Sequence, residues 1–301
     1  MTTPDVVTFL SNLSGLASEG ISHAIFEATS HGLDQYRVAG VTAKTVAFTN
    51  LSRDHLDYHE TMEAYFEAKM QLFDEIADID ATAVIWADDE WSSRAIERAK
   101  ARELRLLTVG ESGFDMRLIS RLPTQLGQDL EISVQGQTFK LKLPLIGAYQ
   151  SANALLAAAI VIASGERAEG VIDNLTRLQP VRGRLERACI APSGAPVYVD
   201  YAHTPDGLDA AIAALRPHVS GRLILVFGAG GDRDTGKRPL MGAVAAKGCE
   251  IQIVTDDNPR SEDPVVIRTA IRDAAPDALD IGDRRSAIAH AISMANAGDV
   301  V

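Results

Sequence analysis

Apolar positions recur along the chain with two different periods, and these periods predict interleaved helices and strands. In the second half, short apolar runs predict strands over 197–200, 222–227, 250–254 and 279–281. Helical spacing between those runs predicts helices over 206–216, 238–248, 264–275 and 285–297. Apolar strands that alternate with helices are typical of a parallel sheet covered on both faces. The second half is therefore expected to be a doubly wound α/β domain.

The first half shows the same alternation but includes a hairpin. Its periodicity predicts helices over 5–19, 62–76 and 150–163, and short strands over 22–27, 45–50, 81–86 and 105–109. Residues 130–143 alternate around Gly136, which predicts a β-hairpin. The segment 178–184 contains helix and strand breakers and favours a domain junction. At the other end, Asp299-Val-Val301 begins a strand pattern.

Composition narrows the class of protein. The chain has 301 residues, of which 46% are hydrophobic and 23% charged, as in an ordinary globular protein with room for two domains. Its formal charge of −12 disfavours broad binding to nucleic acid or to an anionic membrane. Cys189 and Cys249 are the only cysteines, which predicts no disulfide framework and fits a reducing cytoplasm. The longest apolar run, 154–163, is too short for a membrane span, and Met1-Thr-Thr-Pro lacks the basic start of a signal peptide.

Two charged loops follow neighbouring strands of the second half. The first reads Gly228-Ala-Gly-Gly-Asp-Arg-Asp-Thr-Gly-Lys-Arg-Pro239, and the second reads Asp256-Asp-Asn-Pro-Arg260. Ligands of open α/β sheets bind at the carboxyl ends of the strands, so the two loops are expected to meet there. Each loop carries an arginine, and a guanidinium can hold a carboxylate through two hydrogen bonds. The sequence therefore predicts a site for a small, multiply charged ligand.

Candidate metal ligands lie in two segments of the first half. Residues 27–37 bring a carboxylate, hydroxyls, an imidazole and a guanidinium to one predicted strand end, and residues 50–59 add two histidines and two aspartates within a few positions. Oxygen ligands such as Glu27 favour Mg²⁺ or Mn²⁺ over zinc. The equally weighted alternative is a structural or solvated cluster. Lys69 lies among apolar residues, where a lysine ordinarily extends its amine to the surface.

A nucleotide site is indicated at the start of the second half. Arg182-Gly-Arg184 and Asp200-Tyr-Ala-His-Thr-Pro-Asp206 flank one predicted strand, and the second motif lies where a helix begins. His203 and Arg184 could reach phosphates there, and Tyr201 offers a stacking face. A structural interpretation is that Thr204 caps the helix with Pro205 at its first position. The two interpretations are compatible.

Four motifs, in order and spread over the whole chain, resemble those of the Mur ligase family. They are Asn50-Leu-Ser-Arg-Asp-His-Leu-Asp-Tyr-His59, Asp200-Tyr-Ala-His-Thr-Pro-Asp206, Gly230-Gly-Asp-Arg-Asp-Thr-Gly-Lys-Arg-Pro239 and Asp257-Asn-Pro-Arg260. The resemblance implies an α/β fold with part of a central ATPase domain over 1–177, which has no phosphate loop. A Rossmann-like C-terminal domain would then cover 178–301 and be truncated at its C-terminus.

The same resemblance implies an ATP-driven ligase of peptidoglycan synthesis. Its members phosphorylate the terminal carboxylate of UDP-MurNAc-L-Ala-D-Glu, and an incoming amine then displaces phosphate to form an amide. For this chain the resemblance implies meso-diaminopimelate as the amine, ATP and Mg²⁺ as cofactors, and a monomer in the cytoplasm without nucleic-acid or membrane partners. A folylpolyglutamate synthetase-like ligase and a non-catalytic binding remnant are the alternatives.

Site residues follow from the resemblance position by position. The UDP-MurNAc-dipeptide is expected on Thr2, Thr3, Thr29, Ser30, Gln35 and Arg37. Glu27 and His55 correspond to Mg²⁺ ligands, and Lys69 to the lysine that the family carbamylates. ATP is expected to contact Asn153, Arg184, Asp200, Tyr201 and His203. The incoming diaminopimelate is expected to contact Arg233, Asp257, Asn258, Pro259 and Arg260.

Two family segments do not occur in this sequence. The phosphate-binding glycine-lysine loop and the UDP-binding domain would precede Thr2, and a Gly-Lys-Gly-His-Glu segment would follow Val301. The chain is therefore expected to be a fragment of a ligase or a truncated gene product, inactive by itself. The phosphate loop supplies backbone N–H groups and a lysine to the β- and γ-phosphates, which is the reason for expecting inactivity.

Overall fold

The computed structural model describes residues 3–124 and 127–301. The first unit runs from Thr3 to Leu175. Its helices are α1 (Val6–Ser18), α2 (Ser30–Asp34), α3 (Leu56–His59), α4 (Met62–Gln71), α5 (Ser92–Ala101), α6 (Ala148–Ala163) and α7 (Ala168–Leu175). Its strands are β1 (Ala43–Phe48), β2 (Ala77–Trp86), β3 (Arg105–Gly110), β4 (Met116–Thr124), β5 (Gly127–Val134) and β6 (Gln137–Leu143).

The second unit runs from Glu186 to Val301. Its strands are β7 (Glu186–Ile190), β8 (Pro196–Val199), β9 (Ile224–Phe227), β10 (Ile251–Val254) and β11 (Leu279–Asp280). Its helices are α8 (Pro205–Leu215), α9 (Lys237–Gly248), α10 (Pro264–Arg272) and α11 (Arg284–Met294). No helix within 3–124 or 127–301 is long and apolar enough to cross a membrane.

The six strands of the first unit form one sheet in chain order. β1 to β4 are parallel, and β5 and β6 extend the sheet as an antiparallel hairpin, as the alternation over 130–143 predicts. Helix α6 covers one face, where Leu155 packs with Val84, Val109 and Ile132. The opposite face packs against α4 and α5 through side chains such as Phe66. The sheet thus has helices on both faces of its parallel part.

The second unit is built on a parallel sheet of β9, β10 and β11. The last two residues extend it: Val300 pairs with Leu223, and Val301 exchanges backbone hydrogen bonds with β8 at Pro196 and Tyr198. The strand pattern that begins at Asp299 is thereby confirmed, since these residues link β9 to the β7–β8 hairpin. The expected α/β fold class is confirmed in both units.

Two sequence expectations are wrong in part. Residues 22–27 belong to no ladder within the described residues. Most of their side chains are exposed, with Ile25 80% exposed, while Phe26 packs on Phe9. Short apolar alternation cannot distinguish such a segment from a paired strand. The helix expected over 62–76 is α-helical only to Gln71 and continues as a π-helical turn over Leu72–Ile76. An α-helix and a single π-helical turn space their apolar side chains similarly, so the sequence pattern does not show where the backbone changes its winding.

Asp299 is expected to stabilise the second unit at neutral pH. Its carboxylate accepts hydrogen bonds from the Arg222 guanidinium at 2.6 Å and from the backbone N–H of Arg222 at 2.7 Å. The Arg222 hydrogen bond lowers the pKa of Asp299 from 3.8 to about 2. We expect Asp299→Asn to lower the free energy of unfolding by about 1.5–3 kcal/mol at neutral pH.

The pH dependence of that loss has a definite sign. Because the pKa is lower in the folded state, the unfolded chain binds more protons, and the stabilisation disappears as pH falls from about 4 towards 2. Urea titrations of wild type and Asp299→Asn should therefore converge as the pH falls to about 2. The exposed Asp277→Asn is the control and should match wild type throughout. A difference that stayed constant with pH would contradict the ion-pair explanation.

Candidate active site between the two units

Loops that follow the carboxyl ends of strands from both units meet in one place. From the first unit comes the loop after β1, which carries Asp54 and leads into α3. From the second unit come the loop after β8 with His203 and the loop after β9 with Lys237. The Asp54 carboxylate lies 3.1 Å from His203 Nε2 and 3.5 Å from Lys237 Nζ. The junction of the units is therefore lined by charged side chains of both.

Three loops that carry candidate residues contain a non-glycine residue in the left-handed region. His55 has a φ of 57° in the loop after β1, Asp232 one of 51° in the loop after β9, and Arg260 one of 51° in the loop after β10. Left-handed conformations are uncommon for residues with a Cβ and persist only where the surroundings enforce them. Such strain occurs preferentially at sites where side chains must point in a set direction. His55 and Arg260 both carry predicted functional side chains.

The residues expected to bind the UDP-MurNAc-dipeptide lie together in the first unit, except Thr2, which lies outside the described residues. Thr3 Oγ1 donates to the Glu27 carbonyl at 3.0 Å and lies 3.1 Å from Thr29 Oγ1. Thr29 caps α2 by accepting from Gly32 N. Gln35 accepts from Arg37, whose guanidinium also donates to the Thr3 carbonyl at 3.0 Å. Thr3, the segment before α2 and α2 itself therefore form one hydrogen-bonded surface.

Ser30 connects that surface to a cluster of histidines. Its hydroxyl lies 2.9 Å from His59 Nε2, and both residues are buried. The His31 ring packs against His55 at 4.8 Å and Tyr58 at 4.2 Å between centroids. Burial lowers the pKa of His31. The sequence places the His31 imidazole among the candidate groups of residues 27–37 but assigns it no role of its own.

Lys69, one of the predicted metal residues, is half-buried near several carboxylates. Desolvation lowers the pKa of Lys69, opposed by the charges of Glu27, Asp89 and Asp54. Its ammonium lies 5.1 Å from the centre of the Tyr65 ring. A lysine with a lowered pKa loses its proton more readily, and the neutral amine is the form that could attack CO₂.

The His/Asp cluster of residues 50–59 does not converge on one point. His59 hydrogen-bonds with Ser30, Asp54 hydrogen-bonds with His203, and Asp57 lies 3.9 Å from Arg233. Over 3–124 and 127–301, no three His, Cys, Asp or Glu side chains are grouped to hold a metal ion. A site made of Glu27, His55 and Lys69 would thus depend on Lys69 becoming an oxygen ligand.

Residues expected on the ATP side lie at the junction of α6 and the second unit. Asp200 accepts from Tyr149 Oη at 2.9 Å and from the backbone of Leu185 and Ala202, so its carboxylate ties the units together. The Arg184 guanidinium lies over the Tyr201 ring at 4.9 Å. Asn153 is exposed on α6.

His203 completes this group. The hydrogen bond that its ring donates to the Asp54 carboxylate raises the pKa of His203, and the ring lies 5.4 Å from that of Tyr201. Thr204 also caps α8 with Pro205 at the first position, so the structural interpretation holds beside the functional one.

The two arginine-bearing loops of the second unit are in contact, as their strand positions predict. Arg260 donates to the Gly231 carbonyl, and Gly231 N donates to the Asn258 carbonyl at 2.9 Å. Asp232 accepts from the backbone and the hydroxyl of Ser261. Arg233 and the segment Asp257, Asn258 and Arg260 are exposed, while Pro259 is half-buried.

Glu262 does not pair with Arg260. It accepts from Arg238 at 2.7 Å and from the backbone N–H of Asp232 at 2.6 Å. The Arg260 guanidinium donates to a carbonyl oxygen and forms no ion pair within the described residues, although its charge contributes to the lowered pKa of Asp232.

Gly231 permits the close approach of the two loops. A Cβ at this position would lie 1.9 Å from the Pro259 carbonyl oxygen. We expect Gly231→Ala to lower the free energy of unfolding by about 1–3 kcal/mol, because the loops must separate. Thermal unfolding measures the change. Gly170→Ala is the control: its Cβ would meet nothing within 4 Å in α7, and alanine favours a helix. Equal melting temperatures for both variants would contradict the contact.

Comparison with known proteins identifies the family of both units. The family model for the Mur ligase middle domain matches residues 1–161, and the model for the Mur ligase glutamate ligase domain matches residues 183–301. The chain belongs to the Mur ligase family. The first match covers more than half of the sequence, and the two together cover both units.

Relatives within the Mur ligase family match the chain over its full length. It is 56% identical over 301 residues to the UDP-N-acetylmuramoyl-L-alanyl-D-glutamate--2,6-diaminopimelate ligase of Zymomonas mobilis, covering 100% of this chain and 62% of that protein. A solved structure of a ligase of that name has a TM-score of 0.66 and 35% identity, with 100% and 62% covered. The chain therefore spans about three fifths of the length of these relatives.

A folylpolyglutamate synthase of Mycobacterium tuberculosis, solved with ADP and AMPPCP, shares the fold. Its TM-score is 0.69 at 23% identity, over 84% of this chain and 57% of that one. At this level of identity the likeness concerns the fold alone.

Proposed function

We propose that the protein containing this chain is an ATP-dependent ligase that joins meso-diaminopimelate to UDP-MurNAc-L-Ala-D-Glu in peptidoglycan synthesis. The name of the 56% identical relative supports the substrates. The observation that carries the proposal is that two exposed arginines, Arg233 and Arg260, lie in the contacting loops of the second unit, and that Arg233 reaches the first unit. Arg233 lies 3.9 Å from Asp57, next to the His55 cluster.

The two units divide the substrates between them under this proposal. The first unit, taken as 1–177, would hold the muramyl-dipeptide on the surface formed by Thr3, Thr29, Gln35 and Arg37. The second, taken as 178–301, would hold the incoming amino acid. ATP would lie at the junction beside Asn153, Arg184, Tyr201 and His203, with Asp200 fixing the geometry.

Mg²⁺ would be held by Glu27, His55 and a carbamate on Lys69. When bound, the ion neutralises phosphate charge during transfer. The chain's own residues prepare that site: burial keeps the Lys69 amine able to react with CO₂, and the left-handed backbone at His55 aims its ring. The site of action would be the cytoplasm, where these nucleotide substrates are made.

An activity assay tests the proposal. The chain is expressed with the coding sequence that flanks it in frame, and phosphate release is measured with ATP and Mg²⁺. Release is expected to require both UDP-MurNAc-L-Ala-D-Glu and meso-diaminopimelate. Release that depended instead on a folate and glutamate would favour the synthetase-like alternative. Binding of ATP without any release would favour a non-catalytic remnant. The 301-residue chain by itself is expected to give no release.

A further inference from the structure

Arg53 and Asp234 form a two-pronged ion pair between the units. Arg53 Nε donates to Asp234 Oδ2 at 2.9 Å, and a terminal nitrogen of the same guanidinium donates to Oδ1 at 3.2 Å. The two residues are 181 positions apart in the sequence. Parallel hydrogen bonds of this kind fix orientation as well as distance. The pair therefore constrains how the loop after β1 faces the loop after β9.

The Arg53–Asp234 pair is expected to contribute more to stability than an ordinary surface ion pair. The Asp234 side chain is 9% exposed and that of Arg53 43%. Asp234 Oδ1 also accepts from the backbone N–H of Gly236 at 2.9 Å. This hydrogen bond orients the carboxylate independently of Arg53. Exposed pairs contribute little because both side chains lose freedom and water screens them. Here one partner is already ordered and largely desolvated.

Gly236 leaves room for the guanidinium. A Cβ at this position would lie 2.7 Å from the terminal Arg53 nitrogen. The backbone angles of Gly236, −65° and −20°, are ones that alanine adopts readily. The glycine is thus needed for the approach of Arg53 and not for its own conformation. An alanine there would disturb the contact without straining the chain.

The next residue, Asp54, extends the contact. It binds His203 at 3.1 Å and Lys237 at 3.5 Å, and the Lys237 side chain is only 4% exposed. These interactions and the surrounding positive charges hold the pKa of Asp54 well below its usual range despite its burial. Two consecutive residues of the first unit therefore contact three residues of the second.

The residues next to this contact in the sequence are predicted site residues. On the first unit, His55 follows Asp54; on the second unit, Arg233 precedes Asp234. We propose that Arg53 and Asp234 are positioning residues that hold the units in the arrangement in which an amino acid on the second unit meets a carboxylate on the first. This role rests on the proposed function, because it concerns delivery of one substrate to the other.

Kinetics of the full-length ligase test the role. Arg53→Ala and Asp234→Ala should each lower kcat about ten- to a hundredfold, which is the range expected for losing a charge-assisted hydrogen bond. The KM for UDP-MurNAc-L-Ala-D-Glu should stay constant, because its predicted contacts all lie within the first unit. The double variant should be no slower than either single one, since residues that act as a unit are non-additive. Gly236→Ala should show a smaller loss of the same kind.

Arg216→Ala is the matched control. Arg216 pairs with Glu250 at 3.1 Å and is exposed to a similar extent, 40%, but both partners lie in the second unit. Its kcat should equal that of wild type. Two results would overturn the positioning role. One is a fall in kcat for the double variant equal to the product of the two single falls, and the other is a change confined to the KM for UDP-MurNAc-L-Ala-D-Glu.

A distance measurement separates this inference from the proposed function. Spin labels are placed at the exposed Ser93 and Lys247, one on each unit, after Cys189→Ser removes the exposed thiol. Pulsed electron resonance on the chain should give one narrow distance for wild type and Arg216→Ala. Arg53→Ala and Gly236→Ala should give broader, longer distributions. Unchanged distributions would overturn the inference even if the ligase is active, and broadened ones would support it even if no ligase activity is found.

Discussion

Lys69→Ala in the full-length protein is expected to abolish turnover. Burial lowers the pKa of Lys69, and the carboxylates of Glu27, Asp89 and Asp54 lie near enough to influence it. A carbamate at this position would supply the oxygen ligand that Glu27 and His55 need to complete a Mg²⁺ site. Removing one well-placed stabilising group at a reaction centre costs about 10²–10³-fold in rate, and loss of the metal would cost more.

Added short carboxylates should restore part of the lost rate. An acetate or formate ion fits the space left by the side chain and provides the same type of oxygen ligand. Phosphate release by Lys69→Ala is measured with rising formate at constant ionic strength, against chloride. Lys140→Ala, whose side chain is 77% exposed, controls for loss of a lysine and should resemble wild type. Near-wild-type rates for Lys69→Ala would show that the modification is irrelevant here.

Arg260→Ala is expected to remove most of the preference for meso-diaminopimelate over lysine. The two amino acids differ by one carboxylate at the far end of the side chain. Arg260 is exposed, and Glu262, the acidic residue two positions after it, pairs with Arg238. Its guanidinium can therefore receive a substrate carboxylate through two hydrogen bonds. Lysine would leave it without a partner and bring an ammonium close to it.

The preference should be on the order of 10²-fold, because a charge-assisted hydrogen bond contributes about 1.5–3 kcal/mol and the lysine ammonium is repelled. The measurement is kcat/KM for both amino acids in wild type and Arg260→Ala. Arg260→Lys retains charge but not the planar fork and should be intermediate. Arg284→Ala is the control: it lies beside the same strand end, donating to the Asp256 carbonyl at 3.3 Å. Equal use of lysine by wild type would rule out the assignment.

Much of the fold follows from local pattern. Strand β9 is a continuous apolar run, β10 is apolar except for Gln252, and helices such as α8 begin at capping motifs, so their existence and order are readable from sequence. Several elements were missed, among them α5, β4 and α7. Helix α5 buries chiefly Ala95 and Ala99, so its apolar stripe is faint among charged residues. Strand β4 faces solvent along most of its length, and α7 is short.

The sequence by itself determined the family, the α/β class and which residues are candidates for chemistry, because each of these depends on short motifs or on periodicity within one element. Only the tertiary structure decided which candidates meet. Arg53 and Asp234 are 181 positions apart, and no local pattern pairs them. The lowered pKa of Lys69 and the packing of His31 against His55 likewise arise from burial by other segments. Desolvation and contact across the two units are properties of the assembled chain, which is why they could not be predicted from residue order.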